Sequence, residues 1–159
     1  MAARLRIRRA GLGDVGPLAG LVGELLAEIM ALVKAPLFQF DQAQCVQRFG
    51  DFLAQGQYVA LAAWDRDGGA QGLVTLTETQ ALYAEGTFGI IPEFYVRPPW
   101  RSLGVGRELL GEAKAFGRAR GWKRLEVTSP PLPEFTRTLA FYQREGFVVS
   151  GGRKLRCGL

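Results

Sequence analysis

The 159-residue sequence contains no histidine and no asparagine, and it has only two cysteines. The absence of histidine excludes the commonest general base. It also excludes the serine–histidine–aspartate triad and most zinc sites. Cys45 and Cys157 lie far apart in the sequence, so they match no metal-binding or redox spacing, and a disulfide framework is not expected. The composition therefore predicts a reduced, cytoplasmic protein with no metal centre.

Long apolar runs without charge are also missing. The basic N-terminal residues are followed by an apolar stretch, Val15 to Val33, that resembles a secretory signal in outline. Glu24 and Glu28 interrupt this stretch, and its apolar residues recur at helical spacing. We therefore expect an amphipathic helix, no run long and apolar enough to span a membrane, and no membrane partner.

Positive charge exceeds negative charge, with 20 basic and 15 acidic residues and a net charge of +5. The excess is uneven, because the segment from Arg97 to Arg124 holds eight basic residues and two acidic ones. Such a segment is either a solvated helix face or a source of positive potential that attracts a polyanionic ligand. Nucleic acid is a third interpretation, but no recognised nucleic-acid-binding motif supports it.

The most informative stretch runs from Ile90 to Gly117. It opens as a buried strand, which the prolines after Arg97 must end, since proline has no N–H for a strand ladder. A basic loop containing Gly104 and Gly106 follows, and apolar residues at helical spacing then predict a helix that ends near Gly117. Backbone N–H groups at the start of such a helix form a site for an anion such as phosphate.

Two well-known phosphate-binding loops do not fit this stretch. The dinucleotide fingerprint requires a third glycine or alanine, where Leu109 stands instead. The nucleoside-triphosphate loop requires Gly-Lys followed by serine or threonine, which the chain lacks. We therefore expect a phosphate to be bound by the loop backbone, with added charge from Arg101 and Arg107.

The rest of the chain alternates predicted strands and helices. A half-buried strand around Leu5 and Ile7 is followed by two amphipathic helices, the first beginning at Asp14 and the second at Asp41. A hairpin turn is predicted at residues 65–69. A strand at 125–127 and a helix closed by Gly146 follow, and residues 147–149 and 154–157 predict a final hairpin. The pattern indicates an α/β fold with a mixed, mostly antiparallel central sheet flanked by helices, in one domain over 1–159.

Two motifs resemble those of the GNAT N-acetyltransferases. Arg101–Gly106 reads R-x-x-G-x-G between a strand and a helix, as in the family's acyl-CoA pyrophosphate loop. Phe141–Phe147 reads F-Y-x-x-x-G-F, as in the family's late helix and the strand after it. The resemblance covers nearly the whole chain and is weakest over 36–56 and 80–89. It implies a splayed sheet that holds acetyl-CoA, and transfer of an acetyl group to a primary amine of a small molecule or peptide.

The resemblance also assigns residues to the cofactor. The family's central strand bulges and bonds the pantetheine arm, which implies a backbone N–H near Tyr95 or Val96 as the oxyanion donor. Tyr95 is equally well interpreted as a substrate-facing aromatic residue or as part of the core. The cofactor-binding residues implied are Tyr95, Val96, Arg101, Ser102, Leu103, Gly104, Val105, Gly106 and Arg107.

Tyr142 aligns with the family tyrosine that faces the cofactor sulfur, and it is the candidate acid because a phenol stays protonated near neutral pH. The alternative is a tyrosine that fills the core against Phe141. Glu93 is the candidate base, because the family often has a carboxylate near the amine and a partly apolar cleft raises a carboxyl pKa. The alternative is a solvated glutamate at a strand end. The rival bases are Glu78, Glu85 and Glu126, and an acceptor that arrives deprotonated needs no base.

One position departs from the family pattern. Family members often carry an asparagine seven residues before the tyrosine, where this chain has Phe135. With the base also open, a second hypothesis stands beside the enzyme: a degenerate domain that binds acyl-CoA as a sensor or partner module without turnover. The sequence leaves the acceptor amine and homodimer formation open.

Overall fold

The computed structural model describes residues 4–159. Its contacts divide the chain into two compact units, Met1–Thr128 and Ser129–Leu159. Among the described residues, the first unit holds the strands and three α-helices, and the second holds one α-helix. The single domain over 1–159 stays a prediction.

The first unit is built on a six-stranded sheet. The strands are β1 (Arg6–Arg9), β2 (Val59–Trp64), β3 (Ala70–Ala81), β4 (Gly86–Ile91), β5 (Phe94–Val96) and β6 (Leu125–Val127). Their order is β1-β2-β3-β4-β6, and β5 pairs with β3 beyond the end of β4. All these pairs are antiparallel except β4 with β6. The predicted mixed, mostly antiparallel sheet is thus confirmed.

The α-helices are α1 (Val15–Val33), α2 (Gln42–Ala54), α3 (Val105–Ala119) and α4 (Thr136–Arg144). Asp41 caps α2 as predicted, because its carboxylate accepts the Gln44 N–H over 2.8 Å. The prediction that the Asp14 side chain caps α1 is wrong, because its carboxylate makes no capping hydrogen bond to that helix. The Asp14 carboxylate instead accepts from the Gly11 N–H and from the Arg8 guanidinium, each over 2.8 Å.

Helices of the first unit cover both faces of the sheet. On one face, Leu18 and Leu21 of α1 join a core that includes Leu73 of β3. Side chains alternate along a strand, so Gly72 faces the opposite side, where an added Cβ would lie 3.2 Å from Leu109 of α3. Fully burying each of these leucines contributes roughly 1.5–3 kcal/mol, which fixes α1 and α3 on opposite faces of β3.

The apolar helix near the N-terminus is part of this core. By length and composition alone, Leu12–Val33 is apolar enough to cross a membrane, with a mean hydropathy of 1.6, so the prediction that no run meets this criterion was wrong. One such helix is weak evidence, because the core helix of a soluble protein passes the same test. Leu18 and Leu21 are fully buried against the sheet, and Glu24 and Glu28 bind arginines of the same unit.

The second unit consists of α4 and the irregular segments on either side of it. The predicted final hairpin is wrong, because residues 147–159, all of which are described, form no strand. Val148 and Leu155 are 81% and 90% exposed. These apolar side chains are not buried against another element, and an isolated two-stranded hairpin is marginally stable at best in water.

Candidate active site

One extra residue interrupts the central strand between β4 and β5. β3 pairs Thr77 with Ile90 on one side of the break and Val74 with Phe94 on the other. Three steps along β3 therefore correspond to four steps along its neighbours, which is a β-bulge at residues 92–93. The strand predicted from Ile90 to Val96 is thus two strands, and the break follows a proline, which cannot donate to a ladder.

β4 and β6 pair only up to Ile91 and Val127, before the bulge. Among the described strands, β5 pairs only with β3. The Arg97 N–H donates to the Gln71 carbonyl of β3 over 2.9 Å. Because peptide groups alternate in direction along an antiparallel pair, the N–H and C=O of Val96 point away from β3. The sheet thus opens beside β5, with the backbone of Val96 facing the opening.

The loop after β5 has the conformation of an anion cradle. A 3₁₀ turn at Pro98–Trp100 ends the strand, and Ser102 and Gly104 adopt positive φ angles of 61° and 87°. α3 begins at Val105, and the Glu108 N–H donates to the Gly104 carbonyl over 3.0 Å. The amides ahead of that bond lie at the positive end of the helix dipole. A Cβ built on Gly104 meets nothing within 4 Å, so this side of the loop is open to a ligand.

The Arg101 side chain is held within its own unit. Its guanidinium makes a bidentate pair with the Glu28 carboxylate, over 2.7 and 2.8 Å. Its Nε donates to the Val96 carbonyl over 2.7 Å, and the guanidinium lies 5.4 Å from the centre of the Tyr95 ring. The Glu28 carboxylate therefore offsets the positive charge of Arg101, which we expected to lie at the phosphate site. The backbone of Arg101 still forms part of the loop.

The other residues assigned to the cofactor differ in exposure, and Val105, the first residue of α3, is buried. Ser102, Leu103 and Arg107 are exposed on the loop and the first turn of α3. The Tyr95 side chain is 6% exposed and belongs to the core beneath α1. By the same alternation, the N–H and C=O of Tyr95 point towards β3, so the backbone at the opening is that of Val96 and the Tyr95 ring serves packing.

Glu93 stands in the bulge, half-buried, between two hydroxyl groups. The Tyr58 hydroxyl donates to its Oε1 over 3.3 Å, and the Thr75 hydroxyl donates to its Oε2. The Thr75 hydroxyl also accepts the Glu93 N–H over 2.9 Å. Burial raises the pKa of Glu93, and the hydrogen bonds from Thr75 and Tyr58 act in the opposite direction. A carboxylate in this setting is suited to accept a proton.

The rival carboxylates are in different environments. Glu78 accepts from the Trp122 indole N–H over 2.7 Å and from Arg120 over 3.1 Å, and these bonds, the first above all, lower its pKa. Glu126 pairs with Arg124 over 2.8 Å. Glu85 is an exposed residue in the turn before β4. Of these four carboxylates, Glu93 has the geometry that best suits a base.

Tyr142 belongs to the second unit, near the end of α4. It is 5% exposed, and its ring packs against Phe141 and Phe147, with centroids 5.6 and 5.5 Å apart. Burial raises the pKa of Tyr142, so the phenol keeps its proton at neutral pH. Phe135, which stands where the family often has asparagine, is buried just before α4.

Residues 55–149 match the family model of the acetyltransferase (GNAT) domain, which is more than half of the chain. The chain belongs to the GNAT acetyltransferase family. No curated protein matches the sequence. The GNAT assignment agrees with the fold, a six-stranded mixed sheet with helices, which many solved structures share.

Three solved structures illustrate this similarity. An integron cassette protein from the mobile metagenome of Cole Harbour Salt Marsh is 24% identical over 96% of this chain and 90% of its own, with a TM-score of 0.79. A Trypanosoma brucei acetyltransferase is 20% identical over 98% and 99%, with a TM-score of 0.71. An aminoglycoside N-acetyltransferase solved with CoA is 17% identical over 99% and 97%, with a TM-score of 0.79. At these identities, the likeness establishes the fold.

Sequence reasoning missed the partners that hold the candidate site residues. Glu28, which binds Arg101, lies 73 residues from it in the sequence, and no local pattern predicts that pair. Tyr58 lies 35 residues from Glu93 and is likewise invisible to spacing. Thr75 did leave a signal, because it is a fully buried polar residue within an otherwise apolar part of β3.

Proposed function

We propose that this GNAT protein is an N-acetyltransferase that moves an acetyl group directly from acetyl-CoA to a primary amine of a small molecule or peptide. The observation that carries the proposal is the continuous path from the bulged central strand, through the loop at 98–104, into α3. An open backbone edge beside a helix N-terminus suits a ligand with an amide-containing arm joined to a diphosphate.

The residues of this path fit coenzyme A. The loop amides between Arg101 and Arg107 would hold the diphosphate, and the open side of Gly104 would let it approach the backbone. The outward N–H of Val96 would donate to a carbonyl of the pantetheine arm or to the thioester oxygen, while the Val96 carbonyl already accepts from Arg101. When bound, acetyl-CoA supplies the thioester carbon that the amine attacks. No further cofactor and no metal is required for this chemistry.

Glu93 and Tyr142 are the proposed proton-transfer groups. An ammonium has no lone pair, so the acceptor must lose a proton, which Glu93 would accept directly or through water. The departing thiolate needs a proton that a phenol can share, and burial keeps Tyr142 protonated. Even without transferring the proton, the Tyr142 hydroxyl could orient the sulfur.

The acceptor is proposed by chemical class. One fold neighbour is an aminoglycoside N-acetyltransferase, and this supports placing polycationic amines first among the candidates. Amino acids, polyamines and peptide N-termini complete the list of candidate acceptors. We place the protein in the cytoplasm, with no membrane or nucleic-acid partner.

Thiol release from acetyl-CoA with a panel of these amines, followed by mass spectrometry of the products, tests the proposal. We expect release that depends on an amine, with a mass gain of one acetyl group, and strong reduction of the rate in Glu93→Gln. CoA binding without release from any amine would favour the alternative, a sensor or partner module. Phe135 in place of the family asparagine is the observation that favours that alternative.

A further inference from the structure

The carboxylate of Glu93 is held from two separate parts of the chain. Tyr58 reaches Oε1 from the residue just before β2, and Thr75 reaches Oε2 from the middle of β3. Each carboxylate oxygen has two lone pairs, so both can accept a hydroxyl and still offer a lone pair to a substrate proton. We propose that Tyr58 and Thr75 are positioning residues that orient Glu93 as the base of the acetyl transfer. This inference rests on the proposed function.

Thr75 does more than donate to the carboxylate. Its backbone N–H donates to the Glu93 carbonyl over 2.9 Å, and its hydroxyl accepts the Glu93 N–H over 2.9 Å. A bulge leaves one residue of a strand without its regular ladder partner. The Thr75 side chain supplies the missing acceptor, so the same residue fixes both the backbone and the carboxylate of Glu93.

Tyr58 is itself held in place by aromatic contacts. Its ring lies edge-on to Phe49 of α2 at 6.1 Å and tilted against Phe52 at 5.1 Å. These contacts leave the hydroxyl aimed at Glu93 and restrict its movement. α2 thereby orients the carboxylate indirectly, through the Tyr58 ring.

The other titratable groups around Glu93 stay neutral near neutral pH. Burial, followed by the nearby Glu93 carboxylate, raises the pKa of both Tyr58 and Cys45. Arg48 of α2 is a charged group on the same helix as Cys45, and it acts on the thiol in the opposite direction. Glu93 is therefore the group of this cluster whose charge changes first as the pH falls.

The test compares Tyr58→Phe and Thr75→Val with the conservative variant Thr75→Ser, which keeps a hydroxyl. Losing either donor removes stabilisation of the carboxylate, so the acid limb of the pH profile of kcat/KM should move to higher pH. We also expect kcat to fall by up to about 10²-fold, because a misplaced base loses its alignment. In Thr75→Ser, the acid limb of the kcat/KM profile should stay at the pH seen in the parent protein. CoA affinity should be unchanged in all three variants.

A direct titration separates this inference from the proposed function. The carboxyl carbon of Glu93, identified by its absence in Glu93→Gln, can be followed by ¹³C NMR without any turnover. We expect its midpoint to rise in Tyr58→Phe and Thr75→Val and not in Thr75→Ser. A midpoint that stays fixed in the first two variants, while their melting temperatures fall, would reduce both residues to structural roles. If the midpoints shift but Glu93→Gln keeps full activity, the assignment of Glu93 as base is what fails.

Discussion

Gly104 offers a sharp test of the cofactor loop. Its φ of 87° lies in the left-handed region, where a side chain costs roughly 1–2 kcal/mol. A Cβ there would meet nothing within 4 Å, so the cost for the free protein is one of backbone conformation alone. For a chain of this size, 1 kcal/mol lowers the melting temperature by about 2–4 °C. Gly104→Val should therefore still fold, with a melting temperature lower by roughly 2–8 °C.

CoA affinity should change far more than stability. The side chain at position 104 would occupy the open side of the loop, between a diphosphate and the amides at the start of α3. Loss of these contacts should weaken binding by at least about tenfold, or about 1.4 kcal/mol, in isothermal titration calorimetry. Gly104→Ala should give a smaller loss in the same direction.

Gly111 provides the matched control. It lies on α3, seven residues after Gly104, and a Cβ there also meets nothing within 4 Å. Gly111→Ala should raise stability by up to about 1 kcal/mol, because alanine favours the helix, and should leave CoA affinity unchanged. If Gly104→Val binds CoA as tightly as the parent protein at a temperature where both are folded, these amides do not hold the diphosphate.

Three further predictions concern other parts of the chain. Tyr142→Phe should lower kcat while the calorimetric Kd for CoA is retained, and equal turnover of variant and parent would remove Tyr142 as the acid. Glu28→Gln should release the Arg101 guanidinium and make CoA binding tighter and more salt-sensitive, whereas unchanged affinity at 50 mM salt would show that Arg101 does not reach the phosphates. Arg8 and Gly11 lower the pKa of Asp14 to about 2, so its contribution to stability is present above about pH 4 and is lost as the pH falls towards 2. Asp14→Asn should therefore cost about 1 kcal/mol at pH 7, after allowance for solvent screening, and urea unfolding of variant and parent should converge near pH 2.

The sequence predicted the features that depend on neighbours along the chain. The break after Val96, the glycine-rich helix entry and the cap at Asp41 follow from proline, glycine and aspartate chemistry at single positions. It did not predict the final hairpin correctly, because strand formation needs a partner that periodicity does not supply. The prediction about membrane-spanning length also failed, because Glu24 and Glu28 reduce the hydropathy of α1 less than their charge suggests.

The partners of the candidate site could not be predicted, for a physical reason. Glu28 meets Arg101, and Tyr58 meets Glu93, only because α1 and β2 pack beside β5 and the bulge. Such contacts depend on tertiary packing, and each residue alone is an ordinary surface or core residue. Only Thr75 was detectable in principle, as a polar side chain at a buried position of a strand.

The bulge explains why these features occur together. Ile90 of β4 lies opposite Thr77, whereas Tyr95 of β5 lies opposite Leu73, so even-numbered residues of β4 and odd-numbered residues of β5 share one face of the sheet. Without the extra residue, every side chain of β5 would face the other way, and the Tyr95 ring would leave the core beneath α1. The peptide group of Val96 would also turn towards β3 instead of the opening. A single inserted residue, held by Thr75, therefore sets the core packing, the exposed backbone edge and the position of Glu93 at once.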